Sequence, residues 1–207
     1  MSSAPPFAGS ARKPISSDLV RWSLSVSHES PDAATAARRL RGEAAAVRSF
    51  LEGEGVPAAA ISPTVVRSEE QVALLPHHVR RVSFRVSQTF EISTRKLDVV
   101  QRAATTVGTL IARGIDVSAG EPAYISTELT KAKLDTLAAA TEDARRRADI
   151  IVHGLGGKLG PMRRTQLGVY QITPRDSTEI SDYGINDTSS REKDVNAVIT
   201  ATFAVQK

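Results

Sequence analysis

The segment STELTKAKLDTLAAATEDARRRADIIVHGLGGKLGPMRRTQLGVYQI, from Ser126 to Ile172, contains the feature that decides the fold. Its apolar and small side chains recur at steps of three and four residues, which predicts one long helix with a narrow inward face. The glycines at 154, 156 and 157 are expected to end this helix, and a strand is predicted after Met162. A narrow face of small side chains is suited to packing on a β-sheet. The predicted inward face consists of Leu134, Leu137, Thr141, Ala144, Ala148, Ile151, Val152 and Leu155.

The rest of the chain alternates between strand and helix patterns. Apolar residues occupy alternate positions over residues 20–26, 80–92 and 195–205, which is typical of strands with one buried face. Helical periodicity between capping signals covers residues 30–53 and 94–114. The order of these elements predicts an α+β fold with mostly antiparallel sheets. It favours ferredoxin-like strand-helix units of the split βαβ kind, with the long C-terminal-half helix packed on a sheet.

The domain organisation follows from length and local composition. Residues 1–14 are rich in proline, serine and alanine, which predicts a flexible leader. A chain of 207 residues with 41% hydrophobic content can bury a substantial core. Residues 15–206 are therefore expected to form either one compact α+β domain or two lobes. The two lobes would comprise about 15–70 with 126–206, and 80–125.

Composition excludes several kinds of site and argues against some classes of partner. The chain has no cysteine, so disulfides, thiolate metal sites and cysteine nucleophiles are excluded. Its 27 basic and 23 acidic residues are mixed, and its few aromatic residues are not interleaved with basic ones, which argues against a nucleic-acid partner. No segment approaches the ~18 apolar residues of a membrane-spanning helix. A membrane would be reached only through a leader or anchor missing from this chain.

No catalytic, cofactor or metal site is predicted. The glycines between Gly154 and Gly160 close a helix, whereas a phosphate-binding loop opens one, so they are interpreted as a helix end. The four histidines lack the spacing of zinc ligands. No G-x-S-x-G motif and no recognisable pair of nucleophile and base is present.

The segment from Pro174 to Asp194 separates the last two predicted strands. It is longer than an ordinary connection and is therefore expected to be functional or mobile. Its acidic residues lack the spacing of an EF-hand, so turn formation is a simpler interpretation than calcium binding. Contacts with a partner or a second copy are predicted for five of its residues. These residues are Asp182, Tyr183, Ile185, Asn186 and Asp187.

Several motifs carry a resemblance to a known family. They are Asp143-Ala144-Arg145 and Gly157-Lys158-Leu159-Gly160 within Ala139–Gly160, the run Gly168–Pro174, and the run Ser181–Ser190. With them, most of residues 15–206 resembles the SIMPL-domain family, also called domain of unknown function 541. Members include bacterial oxidative-stress-defence proteins and a periplasmic immunogenic protein, and some are similar to ring- or channel-shaped oligomers. The resemblance implies a fold and supplies no catalytic residues.

Three functional hypotheses follow from these residues and this resemblance. The first is a non-enzymatic cell-envelope protein that forms a homo-oligomer and is linked to stress defence. The alternative is a module that binds a small ligand or a protein and uses the 174–194 loop as a lid. A hydrolase or oxidoreductase is the third, and it requires a pocket with convergent titratable groups. The chain is expected to be periplasmic or envelope-associated if a leader was removed, and cytoplasmic if it is complete as given.

Overall fold

The structure is a computed structural model that describes residues 6–76 and 79–206. The chain divides into two compact units. Residues Asp18–Ile125 form one of them, the inserted unit, and the segments before and after it form the other, the terminal unit. In each unit helices pack on a mostly antiparallel sheet, which confirms the predicted α+β class.

The elements follow one another along the chain with short connections, apart from the segment before the last strand. The first part contains β1 (Phe7–Ser16), β2 (Leu19–Ser30), α1 (Ala33–Gly53), β3 (Ile61–Pro63), β4 (Arg67–Leu75), β5 (Val79–Thr94), α2 (Leu97–Thr106), α3 (Gly108–Ala112), β6 (Asp116–Ala119) and β7 (Ala123–Ile125). The second part contains α4 (Leu129–Gly154), β8 (Lys158–Leu167), β9 (Gln171–Pro174), β10 (Ile185–Asn186) and β11 (Glu192–Gln206).

The inserted unit is built around the antiparallel pair of β2 and β5. The strand order is β3-β5-β2-β6, with β4 also on β5 and β7 also on β2. The connection through α1 joins β2 to β3, which have β5 between them, and the connection through α2 and α3 joins β5 to β6, which have β2 between them. Alternate residues of both central strands, including Leu24 and Ile92, are buried in one apolar core with residues of the helices.

The division into units differs from the predicted lobes. Strands β2 and β5 pair from Val20 with Thr94 to Ser30 with Phe84, so residues 18–70 belong with residues 80–125. Apolar and polar residues alternate in β2 and in β5, but this pattern does not tell which strands pair. Only the pairing register shows that the two strands are neighbours. The prediction that joined 15–70 to 126–206 was therefore wrong.

The N-terminal segment also differs from its predicted role. Residues 7–14 are not a flexible leader, because Phe7–Ser16 forms strand β1 and pairs with β11 over its whole length. The register runs antiparallel from Phe7 with Ala201 to Ser16 with Glu192. Its partner lies at the other end of the chain, so the composition of the segment alone could not indicate this strand. Residues 1–5 of the predicted leader lie outside the described residues.

The terminal unit is organised around the long strand β11. Strand β1 lies on one side of β11, and β8 and β9 share the other side at successive positions along it. The short β10 pairs in parallel with β9. Alternate residues of β11 are buried against α4, among them Ile199 and Phe203. The predicted packing of the long helix on a sheet is therefore confirmed.

The buried face of α4 is narrower than predicted. It repeats every four residues and contains Ala132, Thr136, Ala140, Ala144, Ala148 and Val152. Leu134 and Leu155 of the predicted face are 62% and 84% exposed, and Ile151 is half exposed, so these assignments were wrong. The three- and four-residue rule placed the larger apolar residues inward, but the distance between helix and sheet accommodates only small side chains.

Gly9 of β1 shows how closely the helix approaches the sheet. A Cβ atom built on Gly9 would lie 2.3 Å from the Ala140 carbonyl oxygen and 2.6 Å from the Ala144 Cβ. The backbone of β1 therefore touches the backbone of α4 at this position. Residues with larger side chains cannot occupy the facing positions without moving the helix away from the sheet.

Asp143 connects α4 to the same strand. Its carboxylate accepts a hydrogen bond of 3.1 Å from the Ser10 backbone N–H and contacts Arg146 and Arg147 on its own helix at 2.7 Å each. The Ser10 N–H holds the pKa of Asp143 below its ordinary value, and the two guanidinium groups act in the same direction. The Asp-Ala-Arg motif thus places a carboxylate and a small residue side by side against β1.

None of the helices in the part of the chain that the structure describes combines the length and the apolar composition needed to span a bilayer.

Candidate functional site

The segment between β9 and β11, called the 175–191 loop, is fixed at its start by residues of β11. Asp176 has a positive φ of 61°, and its backbone N–H donates a 3.0 Å hydrogen bond to Asp194, whose side chain is buried. Arg175 forms a 2.9 Å ion pair with Glu192. Arg12 of β1 lies within 3.7 Å of both Asp176 and Asp194. The loop therefore leaves the sheet in a defined direction.

The end of the loop is fixed by a buried ion pair. The Asp187 carboxylate accepts hydrogen bonds from the backbone N–H groups of Ser189 and Ser190, at 2.9 and 3.2 Å, and from both hydroxyls. Lys193 of β11, only 3% exposed, donates to the Asp187 carbonyl oxygen at 2.5 Å and lies 3.8 Å from its carboxylate. These contacts attach residues 187–190 to the last strand.

The pKa values of this pair reflect burial and mutual attraction. Burial raises the pKa of Asp187, but the hydrogen bonds from Ser190 and Ser189 and the charge of Lys193 outweigh it, so the pKa lies below its ordinary value. Burial lowers the pKa of Lys193, and Asp187 opposes this shift. At neutral pH the loop end is thus held by an ionised carboxylate with several donors.

The middle of the loop is held to β9 by one side chain. Gln171 donates from its amide nitrogen to the Ser181 carbonyl oxygen at 2.7 Å and accepts from the Ser181 backbone N–H at 3.4 Å. Further along the loop, the residues of β10 pair with β9, Ile185 with Gln171 and Asn186 with Ile172. The loop is therefore supported at its start, middle and end.

Between these supports the loop presents two large apolar side chains to solvent. Ile180 is 81% exposed and Tyr183 is 98% exposed. Glu179 and Asp182 are exposed beside them, and neither makes an ion pair within the described residues. An apolar pair surrounded by polar and acidic groups has the composition of a small protein contact surface.

A half-open cleft of about 870 Å3 lies between the loop and the sheet of the terminal unit. Its floor includes Val198 and Leu167, both nearly half exposed, and its rim includes Arg12 and Glu179. The cleft lies where β8 ends and β9 begins, because Gly168–Tyr170 interrupts the pairing with β11. Its remaining polar lining comes from Ser10, Gln166, Gln171, Ser177, Thr178, Ser181, Asp182 and Asn196.

The structure brings four of the five predicted contact residues together at the surface. Asp182, Tyr183 and Asn186 are exposed, and Ile185 is partly buried in β10. The side chain of Asp187 is 8% exposed and points its oxygens at loop groups, so it supports the loop from within. Ile180 was not among the predicted contact residues, although a large apolar side chain between polar residues was an available signal.

The glycine run lies at a helix end as predicted, and the adjacent histidines lie outside the described residues. Helix α4 ends at Gly154, and Gly156, with a φ of 74°, donates to the His153 carbonyl oxygen, so the glycine run is a helix end as predicted. In residues 6–76 and 79–206 no group of three or more potential metal ligands comes together. His77 and His78 lie outside the described residues.

Comparison with solved structures gives similarities of low score. No curated protein matches the chain. The chain is similar to a crystal structure from Burkholderia cenocepacia, described as an amidohydrolase or peptidase, with 14% identity and a TM-score of 0.23. The similarity covers 62% of this chain and spans about a third, 32%, of the other. At this score it carries no argument about function.

The comparison with protein families is more informative. The SIMPL family, described as a protein of unknown function (DUF541), matches residues 7–203. This range includes β1, which the resemblance in the sequence had not covered, and it contains the helix α4, the glycine run and the 175–191 loop. Because nearly the whole described chain matches, the protein belongs to the SIMPL family.

Proposed function

We propose that this protein is a non-enzymatic cell-envelope protein that self-associates through its 175–191 loop. The observation that carries the proposal is the exposure of Ile180 and Tyr183 on a loop whose other exposed residues are polar. Large apolar side chains that lie in contact with solvent in a polar surround mark protein interaction surfaces. Tyrosine is particularly favourable in this role because it buries much area at a small cost in side-chain entropy.

The hydrogen bonds that hold the loop in place favour association. Ordering a flexible segment on binding reduces affinity, and a segment that is already held avoids this cost. The hydrogen bonds of Gln171, Asp187 and Asp194 hold the loop from three sides. Tyr183 and Ile180 are thereby presented in the free protein, with Asp182 and Asn186 as a polar rim.

A link to stress defence is part of the same proposal and would be indirect. The chain has no cysteine and only two methionines, so it offers little sulfur for direct reaction with oxidants. Protection would instead depend on what the assembled protein encloses or contacts in the envelope.

Replacing both exposed apolar residues tests self-association. We expect the Ile180→Ser/Tyr183→Ser variant to be monomeric at concentrations where the native chain associates, because the apolar contact area is lost. Sedimentation velocity from low to high micromolar concentration measures the change. The matched control is Leu155→Ser, which removes a residue of 84% exposure at the end of α4 and is expected to leave the assembly unchanged. A native chain that stays monomeric throughout this range would contradict the proposal.

The cleft favours a second function, the binding of a small ligand with the loop as a lid. Its volume is in the range of ligand pockets, and apolar floor residues are combined with polar rim groups. This arrangement suits an elongated molecule with an apolar portion that lies against Val198 and Leu167. The loop would close over such a molecule from the side of Ile180.

Filling the cleft tests this second function. Val198→Trp is expected to abolish the fluorescence increase of Nile red, used as a neutral apolar probe, because indole would occupy the cleft floor. The control is Val72→Trp on β4, which is 46% exposed against 47% for Val198 and lies away from the cleft, so it should keep the native probe signal. If both tryptophan variants bind the probe equally, the cleft is not the binding site.

A further inference from the structure

Most charged groups around the 175–191 loop are compensated within the terminal unit. Arg175 pairs with Glu192, and Lys193 pairs with Asp187. Two loop carboxylates differ: Glu179 and Asp182 are exposed and make no ion pair in the part of the chain that the structure describes. The tip of the loop therefore carries two uncompensated negative charges on either side of Ile180.

The outer edge of β8 carries the opposite charge. Among the described strands, β8 pairs only with β11, so one of its edges has no strand neighbour there. Arg163 and Arg164 of this strand are exposed and make no ion pair among the described residues, and Met162, which precedes them, is 55% exposed. The edge thus combines two positive charges with an apolar side chain.

We propose that the self-association is head to tail, with the loop of one copy docked on the β8 edge of a second copy. This inference rests on the proposed function and names its two surfaces. Glu179 and Asp182 of the loop face Arg163 and Arg164 of the second copy. Tyr183 and Ile180 lie against the aliphatic parts of the arginines, where a tyrosine ring also stacks favourably on a guanidinium group.

The charges decide between this arrangement and a symmetric one. In a two-fold contact of loop on loop, four carboxylates would meet, and in a contact of β8 on β8, four guanidinium groups would meet. Like charges that face each other in an interface oppose association, whereas the loop and the β8 edge attract. The apolar residues provide affinity and the charges select the partner surface.

The two contact surfaces differ, so a pair of copies still has one unoccupied loop and one unoccupied β8 edge. Further copies can bind there, and the contact continues into a ring or a filament.

Charge reversal provides the test. The loop variant Glu179→Lys/Asp182→Lys has a basic loop and a basic edge, and the strand variant Arg163→Glu/Arg164→Glu has an acidic loop and an acidic edge. Each alone is expected to need at least roughly tenfold more protein than the native chain for half-association, since two rim ion pairs become repulsive. An equimolar mixture of the two is expected to associate again, because each loop then meets an edge of opposite charge. The chain with all four substitutions should also associate.

The measurements are sedimentation velocity at two salt concentrations and circular dichroism to verify that each variant is folded. Association of the native chain should weaken at high salt, where exposed charges are screened over a few ångströms. If folded reversal variants associate like the native chain, or if the mixture stays dissociated, the head-to-tail inference is overturned. Loss of association in Ile180→Ser/Tyr183→Ser would then still support the proposed function. A native chain that is monomeric in every condition overturns both.

Discussion

Gly9→Ala is expected to lower the free energy of unfolding of the terminal unit by about 3 kcal/mol, the upper end of the range for overpacking a core. The added methyl group would lie 2.3 Å from two backbone atoms of α4, the Ala140 oxygen and the Ala144 nitrogen. Neither atom belongs to a flexible side chain, so α4 must shift away from β1. Such a shift also lengthens the 3.1 Å hydrogen bond between Ser10 and Asp143.

Urea unfolding followed by circular dichroism measures this loss. Gly154→Ala is the matched control, because Gly154 lies in α4 and a Cβ there would meet nothing within 4 Å. This control should change the free energy of unfolding by less than about 1 kcal/mol, in line with helix propensity. Equal stability of Gly9→Ala and the native chain would show that α4 does not lie on β1 at this distance.

Asp187→Ala is expected to lower the free energy of unfolding by about 3 kcal/mol, the lower end of the range for breaking a buried ion pair. The substitution removes the carboxylate that lies 3.8 Å from the buried ammonium group of Lys193. It also removes the acceptor of the Ser189 and Ser190 backbone N–H groups. The loop end should then separate from β11, and the Ser189 and Ser190 amides should exchange with solvent faster.

The effect of Asp187 depends on pH in a defined direction. Its pKa in the folded protein is below the ordinary value of 3.8. An acid with a lowered folded pKa stabilises the fold above its unfolded pKa and loses this contribution as pH falls through the folded pKa. The stability difference between the native chain and Asp187→Ala should therefore be largest near neutral pH and shrink below about pH 4.

Urea unfolding at several pH values, combined with hydrogen exchange of the loop amides, measures both effects. Asp182→Ala is the control from the same loop. Its carboxylate is exposed and has no ion pair among the described residues, so this variant should lie within about 0.5 kcal/mol of the native chain at every pH. A loss in Asp187→Ala that is no larger than in Asp182→Ala would contradict the role assigned to the buried pair.

The sequence indicated where in the chain the candidate loop lies, but only partly which of its residues are exposed. The length and polarity of the segment from Pro174 to Asp194 predicted a functional or mobile loop, and Tyr183 within it is 98% exposed. Asp187 has the same polar character in the sequence as Asp182, yet it is buried under Lys193. Local sequence does not distinguish the two, because the distinction depends on where β11 returns to the loop.

The sequence by itself determined the types of element and the class of fold. Alternation over residues 20–26 and 195–205 and the glycine run after α4 are local signals, since they arise from side-chain direction and from backbone freedom at a helix end. These signals were sufficient for β2, β5, β11, the helices and the α+β class, but not for β1.

Tertiary structure alone decided which strands are neighbours and which face of α4 is buried. Phe7–Ser16 becomes a strand because β11 offers it a complete set of backbone partners almost two hundred residues later. The close contact at Gly9 then selects the alanine face of α4 over the face with Leu134 and Ile151. Both outcomes depend on distances between segments far apart in the chain, and periodicity within one segment contains no information about those distances.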